Sequence, residues 1–224
     1  MKPPPPIAPG FKTPRRRLTR EDRLRQLVDV AWQVVGQEGA DALTLGRLAE
    51  RAGVTKPVVY DHFGTRNGLL AALYQDYDAR QTALMDRAIA EVAPALTPRA
   101  RVIASCYVDC VLTQGREIPG VLAALAGSPE LGALKRQYQL AFIDKCRAIL
   151  GPFAGLGSFA GLGPFAGRAL DAAGFWAMLG AADGVSDAAA AGEITPDDAK
   201  DALFRIIIAM VGGDAREGAD HDRA

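Results

Sequence analysis

The most informative side chains in this 224-residue chain fall within one short stretch: Thr44, Thr55, Lys56, Val58, Tyr60, His62 and Arg66. Hydroxyl, ammonium, guanidinium, phenol and imidazole groups all bond to phosphate oxygens. A lysine also reaches a guanine edge, and a valine can touch a thymine methyl. Together they suit recognition of a nucleic-acid duplex. Catalysis has less to stand on. The chain holds only two histidines, His62 and His221, with no Ser-His-Asp order, metal-ligand cluster or Gly-rich phosphate loop. We therefore expect neither an enzyme nor a bound cofactor or metal. Asp61 lies among these residues and reads two ways. Facing a phosphate it repels; facing a cytosine amino group it adds specificity.

Such side chains need helices to present them. Thr19, with Asp22 three residues on, predicts a capped helix over 20–38, with Leu24, Leu27, Val28, Ala31, Val34 and Val35 at helical spacing. Thr44 caps a short stretch carrying Leu45, Leu48, Ala49 and Ala52, which Gly53 closes. Thr55 caps a third helix with Pro57 in its first turn, and Gly64 breaks it. Thr65 opens a long helix reaching about Ile89. Three short helices, the second and third joined by a Gly-containing turn, describe a helix-turn-helix, with Leu48, Val54 and Val59 inward. The helix starting at Thr55 is then the recognition helix. Its N-terminal N–H groups and dipole attract phosphate.

The charge distribution agrees. The chain totals 26 basic and 26 acidic residues, yet the first 25 residues hold eight basic and two acidic. A basic N-terminal part on an acidic remainder suits a polyanion-binding module joined to something else. Pro3 to Pro6 exclude helix, so residues 1–18 read as a tail, or as an Arg-rich arm lying along DNA. The absence of a long uncharged apolar run and of a secretory h-region predicts a protein without a membrane span. Three cysteines without a CxxC pair fit a reducing cytoplasm.

The stretch Thr44–Leu70, with Ala52-Gly53-Val54-Thr55, Val59-Tyr60-Asp61-His62-Phe63 and Thr65-Arg66-Asn67-Gly68-Leu69-Leu70, resembles the tetracycline-repressor (TetR) family. The resemblance covers residues 20–73. It implies a homodimeric, ligand-responsive transcriptional regulator, usually a repressor. The first three helices would bind double-stranded DNA, the fourth would link to a helical ligand-binding core, and the last two would build a four-helix dimer interface. Thr44, Thr55, Lys56, Val58, Tyr60, His62 and Arg66 fall where that family contacts DNA. Arg66 stands where lysine is usual, and Asn67-Gly68 replaces an acidic pair, giving the next helix a flexible start.

The remainder also reads as helical: Pro98 to about Gln114, a short piece after Pro119, Pro129 to Leu150, 168–191 and 196–211. The expected fold is all-α with about nine helices. A tail (1–18), a DNA-binding domain (19–65), a ligand-binding and dimerisation domain (66–212) and a C-terminal tail (213–224) follow from this. Candidate contacts for a small apolar effector are Cys106, Tyr107, Cys110, Tyr138, Phe142, Phe175 and Trp176, with plain core packing as the alternative. Cys106 and Cys110 share a helix face, but no histidine lies near to support metal binding. Small residues including Gly180 and Gly184, with Leu203, Ile207 and Met210, suit an isologous dimer seam, or else an internal helix pair. The Phe-Ala-Gly repeat at Phe153, Phe159 and Phe165 reads as a duplicated loop or a mobile flap.

Overall fold

The computed structural model describes residues 18–117, 121, 128–153 and 171–211. Among them are eight α-helices: α1 (Arg20–Glu38), α2 (Leu45–Ala52), α3 (Lys56–Phe63), α4 (Arg66–Glu91), α5 (Leu96–Glu117), α6 (Pro129–Leu150), α7 (Ala172–Ala190) and α8 (Pro196–Val211). Two 3₁₀ turns, Ala40–Ala42 and Gly151–Phe153, complete the described elements. The described residues contain no strand. The short piece expected after Pro119 lies outside them apart from the buried Val121. The repeat beyond Phe153 and both tails beyond Leu18 and Val211 also lie outside.

Local chemistry sets the helix starts. Thr19 accepts from the Asp22 N–H at 3.0 Å and donates to the Asp22 carboxylate at 2.7 Å, a reciprocal cap. Thr44, Thr65 and Asp171 cap α2, α4 and α7 by accepting from Arg47, Gly68 and Gly174 N–H groups. Thr195 and Asp198 repeat the Thr19–Asp22 arrangement at α8. At the end of α2, Gly53 takes the left-handed conformation (φ 63°). The Val54 N–H then returns to the Ala49 carbonyl and the Gly53 N–H to Glu50, closing a Schellman turn. Helix α5 begins two residues before the expected Pro98. Proline is tolerated there, because first-turn N–H groups have no intrahelical partner. Helix α7 begins at Ala172, later than the 168 expected, under the Asp171 cap.

Two apolar clusters organise the packing. The first joins α1, α2 and α3 through Leu27, Ala31, Val34, Leu48, Val59 and Phe63 and continues along α4 through Leu69, Leu70, Leu73, Tyr74 and Tyr77. The second gathers α5, α6, α7 and α8 around Ile103, Val108, Cys146, Phe175, Leu203 and Ile207, and takes only Met85 from α4 among its fully buried members. The change of packing therefore occurs along α4, between Tyr77 and Met85, and not at the start of that helix. Helix α5 runs against both α7 and α8. Ion pairs bind these helices at the edges: Lys200–Asp109 and Lys145–Asp86.

A polar knot lies on α4 beside the first cluster. The Trp32 indole N–H donates to Asp76 at 2.7 Å. Arg80 pairs with Asp76 at 3.1 Å and lies 4.8 Å above the Trp32 ring. One turn away, the Tyr77 hydroxyl donates to the Cys110 carbonyl of α5 at 2.8 Å. The helix-turn-helix is thus tied to α4, and α4 to α5.

Candidate nucleic-acid interface

The recognition helix α3 is seated by Val59 and Phe63, both buried, and turns Lys56, Pro57, Tyr60 and Asp61 outward. Tyr60 is 53% exposed, unusual for a large ring without a function at the surface. Val58 and His62 flank this face half-buried. The Lys56 stem crosses the start of α2: its Cε sits 3.6 Å from where a Cβ on Gly46 would be. Gly46 thereby leaves room for the ammonium beside Thr44, where two helix N-termini meet. Thr44 spends its hydroxyl on its own cap, whereas the Thr55 side chain makes no capping bond. The Thr55 hydroxyl is placed at the N-terminus of α3 on extended backbone.

Arg66 behaves differently from the expected phosphate clamp. Its Nε donates to the Leu43 carbonyl at 3.1 Å and its Nη2 to the Ala40 carbonyl at 3.0 Å. The guanidinium fork therefore holds the loop between α1 and α2. This also accounts for arginine where lysine is usual, since an ammonium has no fork to span two carbonyls. Gly68 is likewise not a source of flexibility. A Cβ there would meet the Phe63 carbonyl at 2.0 Å, so the turn from α3 to α4 requires glycine.

In the protein alone, Asp61 is held by a residue of α1. Arg20, at the start of α1, donates from Nη1 to its carboxylate at 2.7 Å and from Nη2 to its backbone carbonyl at 3.1 Å. Sequence reasoning missed this pairing because 41 residues separate the two. On the opposite flank, Arg47 grips Glu38 with two bonds of 2.9 Å, and Arg51 adds a third. The Arg47 guanidinium holds the Glu38 carboxyl below the usual carboxylate range. Burial, then the nearby Arg20 charge, pushes the His62 pKa down, so the ring favours its neutral form.

Residues 27–73 match the family model described as bacterial regulatory proteins, tetR family. The helix-turn-helix segment is thus similar to that of TetR regulators. The chain is 37% identical over 87 residues to a transcriptional regulator, BetI, of Rhizobium meliloti, covering 39% of this chain and 41% of that one. It is 41% identical over 59 residues to a transcriptional activator, FasR, of Mycolicibacterium smegmatis, covering 26% and 27%. The matches thus span less than half the length of these relatives. Among solved structures, a protein of unknown function from Rhodococcus aligns at TM-score 0.66 and 24% identity, covering 90% of this chain and all of that one. The fatty acid degradation regulator FadR from Bacillus halodurans aligns at TM-score 0.60 and 15% identity, covering 89% and 98%. The fold is therefore shared across most of the chain.

Behind the interface, the helical core contains a narrow apolar gap without room for a water molecule. It is lined by Ile103, Tyr107, Phe142, Met178, Ala182, Leu203 and Ile207. Of the seven expected pocket residues, only Tyr107 and Phe142 line it, their rings 5.1 Å apart. The Tyr107 hydroxyl donates to Asp183 at 2.5 Å, and burial raises its pKa strongly. Tyr138 belongs to the first cluster, edge-on to Tyr74. Cys110 packs against that same cluster, and Cys106 against the second. Phe175 is fully buried beneath Arg147, and Trp176 is covered by Arg136 at 3.7 Å.

Leu203 and Ile207 also depart from expectation. Both are buried within the protomer and line the gap, so neither side chain is available to a dimer seam. Helix α8 buries Ala199, Leu203, Phe204, Ile207, Ile208 and Val211 at helical spacing and exposes Asp197, Asp198, Asp201 and Arg205, so its periodicity already marks Leu203 and Ile207 as inward. Ile103/Tyr107, Met178/Ala182 and Leu203/Ile207 are i,i+4 pairs, the one signal that could have picked the lining. Gly180 and Gly184 remain exposed on α7 and Met210 is half-buried on α8.

Proposed function

We infer that this chain is a homodimeric transcriptional repressor. It binds a palindromic operator through α3 and is released by a small apolar ligand in the helical core. The observation that carries this reading is α3 itself, with Lys56 and Tyr60 outward over the buried Val59 and Phe63, inside the segment that matches the family model. Thr44 and Thr55 place hydroxyls at the adjoining helix N-termini, where phosphate is favoured.

For the dimer, α7 exposes the small residues Ala177, Gly180 and Gly184, and α8, which packs on α7, exposes Ile206 with Met210 half-buried. A flat face of this kind permits close self-complementary approach. For the ligand, the apolar lining of the gap and the single Tyr107–Asp183 polar pair suit a small hydrophobic molecule. Its entry must part α5 from α7 and α8. It therefore favours a dimer whose two α3 helices no longer match half-sites about 34–36 Å apart.

Selection from a random duplex pool tests the reading. The expected product is a symmetric site bound with a log–log salt slope of several units. A panel of small apolar compounds should then raise the melting temperature and weaken binding to that site. Equal binding to every duplex overturns the operator reading. The tightness of the gap supports one alternative, a regulator that needs no ligand, for which no compound alters either readout.

A further inference from the structure

Among the described residues, the Arg20–Asp61 pair is the one polar side-chain contact that ties the outer face of α3 to another helix. We propose that Asp61 sets sequence selectivity through Arg20: on a cognate site the carboxylate accepts from a base amino group and releases Arg20 to the adjoining phosphate, whereas elsewhere the pair stays closed. This deepens the DNA-binding reading and rests on it.

The geometry supports each half of the exchange. Asp61 is one helical turn beyond Pro57 and adjoins Tyr60, on the exposed side of α3. Its side chain is 64% exposed and that of Arg20 is 70%, so both groups are reachable from solvent. An unpaired carboxylate on a face that approaches DNA would be repelled by phosphate. Paired with Arg20, it brings no net charge. An exposed pair of this kind costs about fivefold or less in affinity to open, so a correct base can open it. The donor that replaces Arg20 must be an exocyclic amine in the major groove, such as cytosine N4, because a carboxylate can only accept. Keto oxygens and phosphates offer no such donor, and the pair then stays shut with Arg20 unavailable. The same carboxylate thus lowers affinity for the wrong sequence and raises it for the right one.

The two bonds from Arg20 also invite a purely structural explanation, in which the pair staples α1 to α3. A charge-exchange variant separates the two. The full chain, the single variants Asp61→Asn and Arg20→Ala, and the double variant Arg20→Asp with Asp61→Arg are each put through selection from a random duplex pool. Melting temperatures, salt slopes and affinities for the selected and random duplexes are then measured. On the proposal, Asp61→Asn binds random duplex several-fold tighter and the wild-type site about tenfold weaker. It also enriches a different base at one position of each half-site. Arg20→Ala leaves the carboxylate unpaired and weakens binding to every duplex, most of all to the selected site, with a shallower salt slope. The double variant melts like wild type but selects another base.

A staple instead predicts that both single variants melt lower, weaken on all DNA alike and keep the same preferred sequence. It also predicts that the double variant restores wild-type selection. That result overturns the proposal while leaving α3 as the DNA-binding helix. If the unaltered chain enriches no sequence, the DNA-binding reading itself falls, and this inference falls with it.

Discussion

Each residue of the interface is assigned by what else holds it. Among the described residues no hydrogen bond or ion pair holds the Lys56 ammonium or the Tyr60 hydroxyl. Lys56→Ala should therefore weaken the selected duplex by about 1–3 kcal/mol if the ammonium reads a base, or lower the salt slope by about one per site if it meets phosphate. Tyr60→Phe removes a single hydroxyl and should also weaken binding. Neither change should move the melting temperature, because Tyr60 is mostly exposed and Lys56 is outward. Unchanged affinity in both variants would place the interface elsewhere. His62 supplies a pH test. Burial and Arg20 lower its folded-state pKa below the ordinary 6.5. The folded head thus prefers the neutral ring: its contribution is complete above the unfolded value and is lost as the pH falls through 6.5 toward the folded value. Wild type should lose more melting temperature between pH 7.5 and 5 than His62→Gln; parallel curves would sink this assignment.

At the scale of elements, the turn between α3 and α4 shows how little slack the head has. The Phe63 carbonyl stands 2.0 Å from the position of a Cβ on Gly68, so Gly68→Ala must shift backbone against backbone. A loss of about 1–3 kcal/mol in unfolding free energy is expected, read by denaturant titration, although alanine is the better helix former. Stabilisation would mean that the turn relaxes freely. Helix boundaries such as those of α1, α2 and α3 were legible because threonine caps and glycine stops are local chemistry. Gly68 was misread as flexible because its constraint is a carbonyl five residues back in space-filling terms, invisible to propensity. The same holds for Arg66, whose two carbonyl partners lie more than twenty residues away. The core pocket was the least legible. Cys106, Tyr138, Phe175 and Trp176 have the right residue types for a pocket, but type does not say which side of a helix meets which neighbour.

On the scale of the whole molecule, the proposed dimer has to hold two α3 helices at one spacing. Within a protomer, the head is tied to α4 by Trp32, Asp76 and Arg80, and α4 to α5 by Tyr77. Helix α5 in turn packs on α7 and α8, which also enclose the apolar gap. A change at the gap therefore reaches the head through packed helices and named bonds. Spacing between two heads requires a second copy, and the exposed small-residue face of α7 with Ile206 of α8 is the surface left to build it. Replacing Gly184 and Ile206 together by glutamate puts like charges against each other across a two-fold axis. Nothing lies within 4 Å of a Cβ at Gly184 inside the protomer, so that position has space for a side chain. We expect the double variant to elute as a monomer by light scattering, to keep its helical circular dichroism, and to bind a single half-site only weakly. A dimer that persists with full affinity would remove α7 and α8 from the interface. Loss of helix together with loss of the dimer would instead show that the protomer cannot stand alone.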